Sequence, residues 1–168
     1  MKTTQKNKSK KIKNIIEYTI IFLVIFVNGY LITQSFFFPN KTPSIFGKKA
    51  FVIVSGSMIP EIQIGDLVII NDTTDVTLND IIAFRKDSTV IVHRIVKEMQ
   101  VNGKLFYQTK GDNNNIEDPD LVDPSTIEGI MIGKIPFIGK ILMWLYNNLI
   151  FVIIILVIIL IIKIFFMK

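Results

Sequence analysis

Residues 89 to 98 read TVIVHRIVKE, and the alternation of this stretch decides the fold. Side chains of an extended backbone point to opposite faces in turn, so Ile91, His93 and Ile95 share one face while Val92, Arg94 and Val96 share the other. A period of two rather than 3.6, carried by Val and Ile, reads as a β-strand. The same period continues outward in both directions. AFVIVS (50–55), LVII (67–70) and DIIAFR (80–85) precede the stretch; KLFYQTK (104–110) and IEGIMIGK (127–134) follow it. All are short, rich in Val, Ile and Phe, and separated by Asn, Asp, Gly and Pro. VNGK at 101–104 signals a hairpin, with positive φ available at Asn102 and Gly103. The expected fold class is mostly β, a small antiparallel domain over residues 39–140.

Beyond that domain the chain turns apolar. Residues 15–38, IIEYTIIFLVIFVNGYLITQSFFF, carry one charge, Glu17. A hydrocarbon core of about 30 Å takes about 20 helical residues, so this run is long enough to span. It exceeds the roughly 7 to 15 apolar residues of a signal-peptide core, and SFFFPNK offers no small-x-small cleavage site, which favours an uncleaved transmembrane helix. Residues 149–168 form a second candidate, apolar without interruption from Leu149 to Ile162. Lipid offers the backbone no other partner, so helix is expected there. The preceding residues 141–148 include Trp144 and Tyr146, side chains suited to the membrane interface.

Half of the 168 residues are hydrophobic, and the net charge is +5. The surplus is not in the domain. Residues 1–14 hold six lysines and no acid, whereas residues 39–140 hold 11 Lys and Arg against 13 Asp and Glu. A basic tail beside a spanning helix keeps that end cytoplasmic, and a slightly acidic domain gives nucleic acid no electrostatic footing. The expected localisation is the cell membrane, multi-pass, with both termini inside and the domain on the extracytoplasmic face. The chain has no cysteine, which removes disulfides, thiolate metal sites and a cysteine nucleophile.

Three polar clusters interrupt the strands. The first is Ser55-Gly56-Ser57-Met58 with Pro60, where Gly56 permits close backbone approach and the Ser57 N–H and hydroxyl can both face a substrate carbonyl. Alone, SGS is also a common turn. The second is His93, the single histidine, and a lone histidine is more often a packed strand residue than a base. With no other nitrogen or sulfur ligands it makes no zinc site. The third is KGDNNNIEDPD, residues 110–120, offering Asp112, Glu117, Asp118 and Asp120. It lacks the oxygen spacing and flanking helices of an EF-hand, so a solvated turn is the competing reading. No metal or cofactor is expected. Together the clusters supply a nucleophile, a base and a choice of carboxylates to orient it. Serine needs a neighbouring base, and a neutral imidazole held in one tautomer by a carboxylate is that base near pH 7.

SGSMIPEIQIGD followed by DIIAFR, IVHRIV and KGDNNNIED resembles the boxes of type I signal peptidases, in the endoplasmic-reticulum and archaeal subtype that also occurs in some Gram-positive bacteria. The likeness covers residues 50 to about 135. It implies a membrane-bound serine endopeptidase that removes signal peptides from secreted preproteins. By position, Ser57 matches the nucleophile, His93 the general base, and Ser55 the hydroxyl that joins the Ser57 N–H in an oxyanion hole. The last box carries two aspartates six residues apart, which fall on Asp112 and Asp118. Of these, Asp118 is expected to orient His93, with Asp112 close by. The implied substrate has small residues before the cut, for which Val54, Met58 and Ile59 are the expected walls, and an edge strand from Ala50 to Val54 could pair with it. The implied partners are preprotein signal peptides, membrane lipid and the secretion translocon. Two rivals stand beside this reading: a membrane-anchored β module that binds or senses without chemistry, and a self-cleaving protease of the repressor type.

Overall fold

The computed structural model describes residues 2–37, 42–148, 150, 151, 154, 155, 158 and 162. The chain forms two compact units, Met1–Ile45 and Phe46–Lys168.

The first unit is dominated by one helix, α1 (Lys2–Phe37), which runs through the lysine-rich start without a break. Its segment Lys11–Gln34 is long and apolar enough to cross a membrane, and none of it is buried. The polar residues inside that segment turn back on their own helix: Thr19 Oγ1 donates to Ile15 O, Asn28 Nδ2 to Val24 O and Thr33 Oγ1 to Tyr30 O. Such bonds let hydroxyls and amides sit in an apolar medium without an unpaired donor.

The second unit is built on a six-stranded antiparallel sheet. Its strands are β1 (Lys48–Val52), β2 (Leu67–Asn71), β3 (Ile81–Lys86), β4 (Thr89–Val101), β5 (Lys104–Lys110) and β6 (Ile127–Ile135). Each period-two run therefore forms a strand, although β1 begins at Lys48 and ends at Val52 rather than running to Ser55. The β4–β5 turn takes positive φ at Asn102 and Gly103, 53° and 74°. The spatial order is β1-β2-β6-β3-β4-β5, so the last strand in sequence lies in the middle. It pairs with β2 on one side and β3 on the other, with a register shift against each. At Gly129, φ is 137°, and a Cβ there would lie 1.9 Å from Asn71 O, so glycine alone lets β6 pass this point.

Alternation sorts the apolar side chains into two cores. Ile53, Met58, Ile62, Val68, Ile70, Ala83 and Val92 form one. Val76, Ile82, Phe84, Ile95, Tyr107, Val122 and Ile127 form the other, with Ile91 packed against it. A buried ionic network crosses the strands. Lys49 on β1, 7% exposed, binds Glu128 Oε2 on β6 at 2.7 Å, Glu128 O at 3.0 Å and Asp72 Oδ1 at 3.1 Å. Arg85 on β3 closes on the other oxygen of Glu128 at 2.6 Å. Burial alone raises the Glu128 pKa, but the hydrogen bonds from Lys49 and Arg85 outweigh it and hold the carboxyl below its ordinary value.

After β6 the chain forms α2 (Ile138–Asn147), whose Ile141, Trp144 and Tyr146 are exposed. The expected C-terminal span over residues 149–168 falls largely outside the described residues. The described ones, Ile150, Phe151, Ile154, Ile155, Ile158 and Ile162, are helical and exposed.

Candidate active site

After β1 the backbone keeps contact with the segment before β2 for one more step, Ile53 N–H donating to Asp66 O and Gly65 N–H to Ile53 O. The chain then bends away, and residues 55–60 form a turn. Two buried side chains pin it. Met58 is 1% exposed and Ile62 is fully buried, both in the first core, and Ile62 N–H donates to Met58 O at 2.9 Å. Met58 thus belongs to the packing beneath the turn rather than to an open wall. Val54 is 73% exposed and Ile59 half-buried. Gly56 sits under the Ile59 side chain, where an added Cβ would come within 3.1 Å of Ile59 Cδ1. The Ile59–Pro60 peptide is cis.

His93 arrives from β4, opposite Ile82 of β3, and is 8% exposed. Its Nε2 lies 3.0 Å from Ser57 Oγ and its Nδ1 lies 2.6 Å from Asp118 Oδ2. A carboxylate at Nδ1 selects the tautomer with the proton there, which leaves the Nε2 lone pair facing the serine hydroxyl. Ser55 Oγ lies 3.3 Å from Ser57 Oγ.

Asp118 is held by three bonds beyond His93. Thr109 Oγ1 donates to the same Oδ2 at 2.6 Å, Asp118 N–H donates to Thr109 O at 2.9 Å, and Gln108 Nε2 donates to Asp118 O at 2.5 Å. Thr109 is fully buried on β5. The other three acids of the cluster face cations instead. Asp112 receives the Arg94 guanidinium through two bonds, Nε to Oδ1 at 2.9 Å and Nη2 to Oδ2 at 2.7 Å. Lys97 reaches Glu117 at 2.8 Å, and Lys86 reaches Asp120 at 2.6 Å. The structure therefore brings Ser55, Ser57, His93 and Asp118 together and gives Asp112 to Arg94.

Residue types alone do not single out Thr109, Gln108 or Asn113, which also build this site. Asn113 N–H donates to Ser57 O at 2.7 Å, and Asn113 Nδ2 donates to Gly56 O at 3.2 Å. Gly111 lies against the same carbonyl, 2.6 Å from Ser57 O to where its Cβ would be. The available signal was the run of asparagines after Gly111, which are more abundant than a simple turn needs.

The arrangement has the parts for acyl transfer: a hydroxyl within hydrogen-bond reach of an imidazole, a carboxylate behind that imidazole, and a second hydroxyl beside the first. Comparison with known proteins agrees with that chemistry. The sequence model of the Peptidase S24-like family matches residues 25–135. Signal peptidase I W of Bacillus subtilis is 35% identical over 130 residues, 74% of this chain and 66% of that protein. The signal peptidase complex catalytic subunit SEC11 of Metarhizium robertsii is 32% identical over 109 residues, 58% of this chain and 63% of that protein. The SEC11 subunit of Debaryomyces hansenii is 31% identical over 144 residues, 77% of this chain and 86% of that protein. The chain thus spans about two thirds of the first two relatives and more of the third.

Proposed function

The chain belongs to the S24-like peptidase family, among its type I signal peptidases, and on that premise we propose that it is a membrane-bound serine endopeptidase that removes N-terminal signal peptides from preproteins. The observation that carries this reading is the continuous line of contacts from Ser57 Oγ through both nitrogens of His93 to Asp118. In the proposed reaction, Nε2 of His93 takes the hydroxyl proton as Ser57 Oγ attacks the scissile carbonyl. The oxyanion is met by the Ser57 N–H and by the Ser55 hydroxyl. The imidazolium then protonates the leaving amine, which becomes the new N-terminus of the mature protein. Water, activated by the same imidazole, hydrolyses the acyl-enzyme. Asp118 holds the tautomer and offsets the imidazolium charge throughout. Asp112, bound by Arg94 beside His93, braces the loop.

The substrate lies as an extended strand along the outer side of β1, which pairs with no strand among the described residues. Val54 and Ile59 line its path, and Met58 supports the turn from within the core. The lysine-rich end stays in the cytoplasm and α1 spans, so the sheet faces the extracytoplasmic side, where preproteins emerge from the translocon. Residues 141–148 rest in the lipid interface, as exposed Trp144 and Tyr146 favour, and residues 149–168 return through the membrane.

Cleavage of a labelled preprotein in membranes tests this. Ser57→Ala and His93→Ala abolish cleavage, and Asp118→Asn lowers it about 10⁴-fold, the scale found when a triad carboxylate is neutralised. Asp112→Asn lowers it less. A Ser57→Ala protein that still cuts refutes the serine mechanism, and an Asp112→Asn loss larger than that of Asp118→Asn reassigns the carboxylate.

A further inference from the structure

We infer that Asn113 is a positioning residue for the oxyanion: it holds both peptide groups that flank Ser57 and so aims the Ser57 N–H at the developing charge. This deepens the proposed protease reading and rests on it. The Gly56 carbonyl and the Ser57 N–H are the two ends of one planar amide, pointing in opposite directions. A donor fixed on the Gly56 oxygen therefore fixes the direction of the Ser57 N–H. Asn113 Nδ2 supplies that donor at 3.2 Å, alongside Ile59 N–H, also at 3.2 Å, so the oxygen is held from two sides. Only the amino end of the Asn113 amide can face a carbonyl oxygen, which settles the orientation of its side chain. The following peptide is held as well, because Asn113 N–H donates to Ser57 O at 2.7 Å.

The same geometry has an electronic effect. An amide whose oxygen accepts a hydrogen bond is more polarised, and its N–H is a stronger donor. Asn113 thus strengthens as well as directs the group that meets the oxyanion. Its side chain is exposed. The residue sits on the loop that also carries Asp118, with the Arg94–Asp112 pair next to it. One loop thereby sets the nucleophile's amide on one side and the base's carboxylate on the other.

The test uses the full chain in detergent micelles, with wild type, Ser57→Ala, Asn113→Ala and Asn113→Asp. Asn113→Asp keeps the shape and removes the donor. Outright removal of an oxyanion donor lowers kcat about 10²- to 10³-fold, and loss of its anchor is expected to lower kcat about tenfold or more, with KM nearly unchanged. The Ser57 amide nitrogen resonance moves upfield in both variants, while in Asn113→Ala, which adds no charge, the His93 ring resonances and the pH profile of cleavage stay in place. A Ser57 resonance that does not move, an unchanged kcat, or a loss confined to KM overturns the inference. If the wild type does not cut a preprotein at all, the signal peptidase reading fails, and the Ser57 resonance still decides whether Asn113 controls that amide.

Discussion

Thr109 shows how much of this site's geometry depends on a fully buried side chain. Its hydroxyl and the His93 Nδ1–H meet the same oxygen of Asp118, each at 2.6 Å, so removing one leaves the carboxylate free to rotate about the other. Thr109→Val is nearly isosteric and leaves no unpaired polar atom of its own. We expect it to lower kcat about ten- to a hundredfold through misplacement of the imidazole, with KM steady, and Thr109→Ser to restore most of the rate. Steady-state cleavage by the three proteins checks this. The histidine stood out in the sequence because it is the single one, and Ser57, one of seven serines, because its place ahead of His93 and the aspartates matches the resemblance. The choice among Asp112, Glu117, Asp118 and Asp120 was less so. These acids differ mainly in the cation each one meets, and Arg94, Lys97 and Lys86 come from β3 and β4. Their pairing is set by strand register, which a linear sequence does not display. The sequence suggested Met58 as a wall because it adjoins Ser57, but adjacency does not reveal that the turn points its side chain into the core.

At the scale of elements, the period of two predicted the strands but does not show that Lys49 is buried, its charge compensated by Glu128 and Asp72 from positions distant in sequence. Losing Glu128 leaves buried Lys49 with only the half-exposed Asp72 as acidic partner among the described residues, so Glu128→Ala should destabilise the domain by about 3 kcal/mol in urea unfolding. The pH dependence follows from the direction of the shift. Glu128 titrates lower in the folded chain than its ordinary value of 4.5, so its contribution is complete above that value and is lost as pH falls through the lower, folded value. Unfolding midpoints measured from pH 6 down to pH 3 should fall more steeply for the wild type than for Glu128→Gln. The order of the sheet was beyond reach of the sequence. Alternation identifies strands but not neighbours, and hairpin signals link only strands that follow one another.

At the scale of the whole molecule, the unequal distribution of lysine makes a prediction about orientation. The chain has no native cysteine, so single cysteines at Lys6 and at the exposed Ile116 report location cleanly. In intact cells a membrane-impermeant maleimide should label the second and not the first, and labelling of the first alone would invert the proposed topology. Within the sheet, β1 and β2 carry Ser57 in their connection, while β3, β4 and β5 carry His93 and lead to Asp118. β6 provides the hydrogen-bonded join between these two groups. Ser57 and His93 thus stand on strand groups whose sheet hydrogen bonds to one another all run through the strand made last, so the proposed catalytic pair depends on a segment that carries none of its members.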